Sequence, residues 1–540
     1  MNALARRHTA RHLVLATAAA LALSSGTTSQ AATRVEGVVA AETPFAGAAI
    51  TIADADGKRV GVTAARDGNF AADVDGLRAP LLLSAIEAGD NTNCRHNDRP
   101  RARCMAAYLP TLKADADNTA NINPLTDRVA SDIAVSLKYI GPQQMVDGGK
   151  APAADPAAVK RALDQMRAGF SSALGANGVH ELADFDPVTR PMRADGQGVS
   201  AVLAVINHTR NYDNNTGESS YTVLTDVGFR PIVGLLGAGA YEPLDYPRAA
   251  RELDDIRNAR TRVLVVGDST AATYERERMP RMGWGQVFQE QFKPDSGVKV
   301  VNGARAGRSA RDFYNSGWYA QMARFLRPGD YVIIHHAHND ENCDSRKPVR
   351  GPADVTNLCA YPNDVSGHRQ YPADRPELSF QTALEKYIVL ARMAGATPII
   401  MTPTTRFWNA DRKTAFEGGD TRPVVPNHIT EQNATGGFAF IGDYSQTVRD
   451  TARANDVPLI DIDARTVAFA NAHASDWKQY WLAIDPKDAR YPYYATQSIG
   501  TLANPDTTHF QQPGAEAIAG MVADGIRDAP ALNELAGALK

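Results

Sequence analysis

A serine in the C-terminal half of the chain stands where a nucleophile would be well placed. Ser269 belongs to Gly267-Asp268-Ser269-Thr270, which directly follows the apolar run at residues 263–266. We expect a strand-to-helix turn here, because such a turn exposes the hydroxyl and lets N–H groups at a helix N-terminus stabilise an oxyanion. Ser269 is therefore a candidate nucleophile for attack on a carbonyl, although its segment alone also fits a simple helix cap.

A histidine near the C-terminus is the matching candidate for a general base. His509 ends the segment Asp506-Thr507-Thr508-His509, which we expect to form a tight loop. A carboxylate three residues before the ring can accept the Nδ1–H bond, so that Nε2 stays free to take a proton from serine. The pair alone also fits a capping Asp and a surface His. Together with Ser269, it predicts a serine nucleophile, a histidine base and Asp506 as the group that orients the base.

Two further segments offer donors for an oxyanion. Gly307 lies in Asn302–Ser309 after a short expected strand, and a glycine there lets the backbone approach a ligand closely. Asn339 lies in His335–Asp340 after the apolar run at 331–334, and its side-chain amide can also donate. The histidines of this segment suggest a metal site as an alternative, but alternate strand residues face opposite sides and no carboxylate clearly completes a site. We therefore expect no metal and no organic cofactor.

The elements that carry these residues alternate along the chain. Helical segments separate four short runs that are apolar almost throughout: 263–266, 331–334, 398–401 and 458–462, the last of which contains Asp461. Runs that are apolar on both faces indicate parallel strands covered by helices on both sides. Residues 261–540 are therefore predicted to form a doubly wound α/β domain. Ligands of such sheets bind beyond the carboxyl ends of the strands, where Ser269, Gly307 and Asn339 would lie.

The N-terminal part divides into two regions of different pattern. Residues 33–90 contain short β-branched runs separated by turns such as Arg66-Asp67-Gly68, and they resemble a small β-sandwich of the transthyretin or carboxypeptidase-regulatory type. Residues 91–250 are predicted to be a mainly helical accessory region, because Pro124 and Pro156 begin stretches with apolar residues at helical spacing. A linker to the C-terminal domain is expected near residues 239–260.

Composition and the first residues indicate an exported protein. Lys and Arg number 57 and Asp and Glu 61, a formal net charge of −4, which does not indicate nucleic-acid binding. Residues 1–31 combine early arginines, a short apolar run and a small-x-small cleavage site, the pattern of a signal peptide rather than a membrane span. We expect a secreted or periplasmic protein with no stable membrane insertion and two local disulfides, Cys94–Cys104 and Cys343–Cys359.

Four segments resemble, in order and content, those of the SGNH, or GDSL, hydrolase superfamily: Gly267–Thr270, Asn302–Ser309, His338–Asp340 and Asp506–His509. The resemblance covers residues 261–540 and implies a flavodoxin-like parallel sheet. It also implies that Ser269 is the nucleophile of an esterase and that Asp506 and His509 complete its triad. The Ser269 N–H, the Gly307 N–H and the Asn339 amide would then form the oxyanion hole.

Further segments, among them Gly283-Trp284-Gly285-Gln286 and Thr402-Pro403, are similar to the rhamnogalacturonan acetylesterase branch, which removes acetyl groups from pectic polysaccharide. This resemblance implies an acetylated polysaccharide or oligosaccharide as substrate. Arg305, Arg308 and Arg406 are candidates to meet its uronate carboxylates, and loop salt bridges are their alternative role. Two other functions stay open: a lipase or thioesterase with a different acyl substrate, and a non-catalytic polysaccharide-binding protein.

Overall fold

The computed structural model describes residues 32–89, 94, 103–213, 218–233, 243–341, 359–360, 378–408, 423–433 and 439–540. The signal peptide predicted at residues 1–31 and the half-cystine predicted at Cys343 lie outside these ranges. Within them, no helix combines the length and the apolar character that crossing a membrane requires.

The first part of the structure is a β-sandwich. Its strands are β1 (Arg34–Val38), β2 (Ala49–Ala53), β3 (Arg59–Thr63), β4 (Asn69–Asp73), β5 (Leu81–Ile86), β6 (Cys104–Leu109) and β7 (Asp117–Thr119). They form two sheets with the strand orders β4-β1-β7 and β3-β2-β5-β6. Ile50, Phe70 and Leu83 are buried in the core that the two sheets share. The predicted Cys94–Cys104 disulfide is confirmed, with 5.9 Å between the Cα atoms, and β6 and β7 extend the sandwich beyond residue 90.

An accessory region of helices and one small sheet follows. Its elements are α1 (Pro124–Ser136), α2 (Pro142–Asp147), α3 (Pro156–Ala176), α4 (Val199–Ala204), β8 (Ile206–Asp213), β9 (Glu218–Asp226), β10 (Pro231–Val233) and α5 (Tyr246–Asn258). The starts of α1 and α3 agree with the proline signals of the sequence. The expected linker is wrong, because most of that segment is the amphipathic helix α5, which buries Leu253 and Ile256.

The antiparallel sheet β10-β9-β8 lies within the region that was expected to be mainly helical. Its strands bury polar side chains, which apolar periodicity does not reveal. Three of these side chains share one partner. The buried Asp127 carboxylate of α1 accepts hydrogen bonds from His208 Nε2 at 2.8 Å, Thr222 Oγ1 at 2.7 Å and Arg210 Nε at 3.1 Å. A carboxylate distant in sequence therefore stabilises these strands in the interior.

The C-terminal part contains a five-stranded parallel sheet with helices on both sides, and two smaller sheets. Its strands are β11 (Thr261–Gly267), β12 (Arg281–Met282), β13 (Val298–Asn302), β14 (Tyr331–His335), β15 (Thr397–Met401), β16 (Ile429–Asn433), β17 (Ala439–Asp443), β18 (Leu459–Ile460), β19 (Trp481–Leu482) and β20 (Asp506–Gln511). Its α-helices are α6 (Trp284–Val287), α7 (Ala310–Asn315), α8 (Trp318–Ala323), α9 (Phe380–Met393), α10 (Tyr444–Ala454), α11 (Asp463–Ala472), α12 (Gln512–Asp528) and α13 (Asn533–Ala536). The main sheet has the parallel order β13-β11-β14-β15-β18, which is the 2-1-3-4-5 order of flavodoxin-like folds. The predicted fold class is confirmed.

Clusters of buried apolar side chains cover both faces of the main sheet. On one face, Val263 and Val265 of β11 belong to a cluster with Ile518 and Val522 of α12. On the other face, Leu264 belongs to a cluster that continues through α7, α8 and α9 into the accessory helices. Helix α5 lies against β13, and β8 lies against α7 and α8. The accessory region and the α/β domain therefore share one core.

Candidate active site

Ser269 lies beyond the carboxyl end of β11 in a tight turn. The Asp268 carboxylate shapes this turn by accepting hydrogen bonds from the Thr270 N–H at 3.0 Å and the Thr270 hydroxyl at 2.8 Å. The Ser269 residue is 6% exposed, and its Oγ lies 2.8 Å from Nε2 of His509. The fold thus brings together two residues that are 240 positions apart in the chain.

No α-helix follows Ser269, so the expected strand-to-helix turn is wrong. The chain after the turn is instead held by the segment that leads into α6. The Thr270 carbonyl accepts a hydrogen bond from the Trp284 N–H at 3.0 Å, and the Ala272 carbonyl accepts one from the Gly283 N–H at 3.1 Å. Any stabilisation of an oxyanion at Ser269 must therefore come from individual donors and not from a helix dipole.

His509 lies in β20 and not in the expected tight loop. This strand pairs antiparallel with β12 and β19 through Phe510. One oxygen of Asp506, at the start of the strand, lies 2.6 Å from His509 Nδ1, and the other accepts a hydrogen bond from the His509 N–H at 3.1 Å. Because an ionised carboxylate only accepts, Nδ1 carries the ring proton and Nε2 is left as an acceptor toward Ser269.

The electrostatic environment favours an ionised Asp506 and a neutral His509. Burial raises the pKa of the Asp506 carboxyl, but the hydrogen bond and charge of His509, the Thr508 N–H and the charge of Arg281 outweigh it, so the net pKa lies well below the usual value. Burial lowers the pKa of His509, and the Asp506 carboxylate opposes this effect only in part. The ring can therefore accept a proton at neutral pH.

The two other predicted oxyanion donors lie on loops next to Ser269. Gly307 follows β13 and Asn339 follows β14, and these two strands flank β11 in the sheet. Gly307 has a φ of +75°, a left-handed conformation that favours glycine. The Asn339 amide nitrogen is buried and has no hydrogen-bond partner among the described residues. A buried donor of this kind suits an oxygen of a bound ligand.

Asp268 has a second role that the sequence reasoning missed. Its other carboxylate oxygen lies 3.2 Å from both the backbone nitrogen and Nδ1 of His338. Burial raises the pKa of Asp268, but His338, His335 and the Thr270 N–H hold it well below the usual value. This carboxylate therefore ties the Ser269 turn to the loop that carries Asn339. The position of Asp268 directly before Ser269 was the sequence signal that could have revealed this role.

The neighbouring histidines are neutral interior groups. Burial lowers the pKa of His335 to about 3 and that of His336 to about 4, with the Asp268 charge opposing both shifts. The Trp284 Nε1–H donates to His335 Nδ1 at 3.2 Å, and His336 packs between the rings of Phe313 and Tyr387. In the described ranges, no group of three or more His, Cys, Asp or Glu side chains is arranged to hold a metal ion.

Two of the three arginines that were candidates for substrate carboxylates form ion pairs with carboxylates of the protein. Arg308 Nη1 lies 2.8 Å from an oxygen of Asp312, and Arg406 Nη1 lies 2.9 Å from an oxygen of Glu341. These contacts agree with the alternative role as loop salt bridges. Arg305 differs from both, because its guanidinium carbon lies 4.0 Å from the centre of a Trp318 ring.

The site and fold are those of a serine-hydrolase-like α/β domain, and comparison with known proteins identifies the family. Residues 263–521 match the GDSL-like Lipase/Acylhydrolase family. This part of the chain belongs to that family, within the SGNH superfamily, and is a carboxylic ester hydrolase domain.

Several curated proteins and solved structures are similar to this chain. The rhamnogalacturonan acetylesterase RhgT of Bacillus subtilis is 27% identical over 267 residues, which are 49% of this chain and 89% of the relative. A rhamnogalacturonan acetylesterase of Emericella nidulans is 27% identical over 199 residues, 36% of this chain and 73% of the relative. The structure of a catalytic mutant of Axe2, an acetylxylan esterase from Geobacillus stearothermophilus, is 14% identical and covers 50% of this chain and 94% of its own, with a TM-score of 0.27.

Proposed function

We propose that this protein is an exported serine acetylesterase that removes acetyl groups from pectic polysaccharide. The observation that carries the proposal is the hydrogen-bonded series from Ser269 Oγ through the His509 ring to Asp506, with distances of 2.8 and 2.6 Å. This is the arrangement that lets a histidine take the proton of a serine hydroxyl while a carboxylate holds the ring.

The reaction proceeds in two halves. Ser269 Oγ attacks the acetyl carbonyl carbon while its proton moves to His509 Nε2. The bond to the sugar oxygen then breaks, this oxygen takes the proton from His509, and acetyl-Ser269 remains. Water gives a proton to His509 as it attacks the acetyl group. The bond between the acetyl carbon and Ser269 Oγ then breaks, Oγ takes the proton back from His509, and acetic acid leaves and ionises to acetate in solution.

The tetrahedral intermediate carries a negative oxygen that needs donors. The N–H groups of Ser269 and Gly307 and the amide of Asn339 are the proposed donors. Removal of one donor of this kind costs on the order of 3 kcal/mol of transition-state stabilisation in acyl transfer. The partnerless, buried Asn339 amide supports this assignment most directly.

The proposed substrate rests on the relatives, since several of them are named rhamnogalacturonan acetylesterases. The test measures acetate released by the full chain from acetylated rhamnogalacturonan, acetylated pectin and acetylated xylan at equal acetyl content. A parallel series uses p-nitrophenyl esters from acetate to octanoate. We expect hydrolysis of the short ester and preference for the pectic polymers. Equal or faster release from xylan would overturn the substrate, and a preference for octanoate would favour a lipase.

The pH dependence of kcat/KM tests His509 as the base. Only the neutral ring can take the serine proton, and burial places the pKa of His509 below its ordinary value of 6.5. We expect kcat/KM for p-nitrophenyl acetate to fall about tenfold per pH unit on the acid side of an inflection that lies below pH 6.5. An inflection above that value, or a rate independent of pH in the acid range, would contradict the assignment.

A further inference from the structure

Arg305 is held in place by a part of the chain outside the acylhydrolase domain. Its side chain lies over the buried Trp318 ring, and its Nη1 donates to the carbonyl of Phe229 at 3.4 Å. Its backbone N–H donates to the Gly267 carbonyl at 3.0 Å, two residues before Ser269. Phe229 follows β9 of the accessory sheet and lies before residue 263, where the family match begins. The accessory region therefore orients an arginine beside the nucleophile turn.

Arg305 differs from Arg308 and Arg406 in having no ion pair with a described carboxylate. Arg308 has Asp312 and Arg406 has Glu341, whereas no carboxylate of the described residues forms an ion pair with Arg305. Burial lowers the pKa of Arg305 to about 10, the Arg308 charge adds to this effect, and Glu275 and Tyr221 oppose it. The guanidinium is still protonated at neutral pH. A partly buried cation that has no ion-pair partner among the described residues is costly, which makes it a good receptor for a ligand's carboxylate.

A second side chain of the accessory sheet lies at the same place. Burial lowers the pKa of the Arg308 guanidinium, but its ion-pair partner Asp312 and the phenol of Tyr221, on β9, outweigh this effect and raise it. Tyr221 and Phe229 thus place β9 and the turn after it beside the loop at residues 305–308, which carries the proposed oxyanion donor Gly307. A polysaccharide bound at Ser269 would have this part of the accessory region as a neighbour.

We propose that Arg305, held by Trp318 and the Phe229 carbonyl, binds a carboxylate of the substrate, and that the accessory sheet forms this wall of the binding cleft. The proposal rests on the proposed function and adds a residue that selects acidic over neutral acetylated sugars. Arginine suits this task because its planar fork of N–H groups matches a carboxylate. Hydrogen bonds to a charged group are strong enough for a roughly ten- to hundred-fold effect on selectivity.

The experiment compares kcat/KM for acetylated oligogalacturonides with kcat/KM for acetylated xylo-oligosaccharides, using the full chain. The wild type, Arg305→Gln, Arg305→Lys and the matched control Arg327→Gln are measured together. Arg327 is exposed and precedes β14, at the edge of the sheet opposite Ser269. We expect the acidic-to-neutral ratio to fall roughly ten- to hundred-fold in Arg305→Gln through a higher KM, to fall less in Arg305→Lys, and to stay at the wild-type value in the control.

The outcomes separate a binding role from a structural one. Equal losses on both substrates, with an unchanged ratio, would overturn the proposal, because a structural defect does not distinguish a carboxylate. If Arg305→Gln does not fold, inhibition of the wild type by free sugars tests the proposal instead. Free galacturonate should then inhibit hydrolysis of the xylo-oligosaccharide more strongly than galactose, and equal inhibition would overturn the proposal. If the wild type hydrolyses neither substrate nor p-nitrophenyl acetate, the proposed function itself fails.

Discussion

Replacing Ser269 with alanine is expected to lower kcat for p-nitrophenyl acetate by roughly four to six orders of magnitude. Without Oγ there is no nucleophile at 2.8 Å from His509 Nε2 and no covalent intermediate. The measurement is initial-rate hydrolysis at saturating ester, together with thermal unfolding to show that the variant folds. Removing one hydroxyl from a tight turn should leave the unfolding temperature close to that of the wild type.

The matched control for this variant is Ser296→Ala. Ser296 precedes β13 at the amino edge of the sheet, where its Oγ accepts a hydrogen bond from the Val298 N–H at 3.3 Å. We expect wild-type rates from this control. Labelling by a serine-directed phosphonate adds a chemical readout, since the adduct should form on Ser269 and be absent from Ser269→Ala. Equal esterase rates for Ser269→Ala and the wild type would refute the mechanism.

Replacing Asp506 with asparagine is expected to lower kcat by roughly three to four orders of magnitude. The amide keeps the shape of the side chain but loses the charge that stabilises the protonated ring. An amide can also donate to Nδ1, which would favour the tautomer with the proton on Nε2, where it cannot accept from serine. A charge-matched control is Asp524→Asn on the surface of α12, where the carboxylate pairs with Arg527.

A second readout distinguishes lost catalysis from lost structure in the Asp506 variant. The Asp506 carboxylate opposes the effect of burial on the pKa of His509. Its removal should therefore shift the acid inflection of kcat/KM further toward low pH. A variant that loses activity without this shift, and that unfolds at a lower temperature, would indicate that Asp506 mainly holds β20 in place.

The fold of the C-terminal half could be predicted because its strands are apolar on both faces. Such runs identify a parallel sheet without knowledge of long-range contacts, and the carboxyl ends of the strands then locate the site. The accessory sheet could not be predicted in the same way. The buried His208, Arg210 and Thr222 of β8 and β9 are hydrogen-bonded to Asp127 in α1, and a partner this distant leaves no local periodicity.

Within the site, the sequence predicted which residues meet but not how the backbone presents them. Ser269 and His509 were paired correctly, yet the turn after the serine depends on hydrogen bonds from the chain at residues 283–284 and not on a helix. The ion pair between Arg406 and Glu341 joins loops that follow two different strands, so no local sequence pattern predicts it. The catalytic roles of Asp506 and His509 and the export of the protein stay predictions.

The common interior of the accessory helices and the α/β sheet limits how this enzyme can be dissected or re-targeted. Helix α5 covers β13 and β8 covers α7 and α8, so a fragment that starts at β11 would expose apolar surface to water and be prone to aggregate. Such a fragment would also lack Phe229, whose carbonyl accepts a hydrogen bond from the Arg305 side chain. Exchange of the N-terminal half for a foreign module would need a redesigned interface, because the accessory helices and the α/β sheet pack in one hydrophobic core.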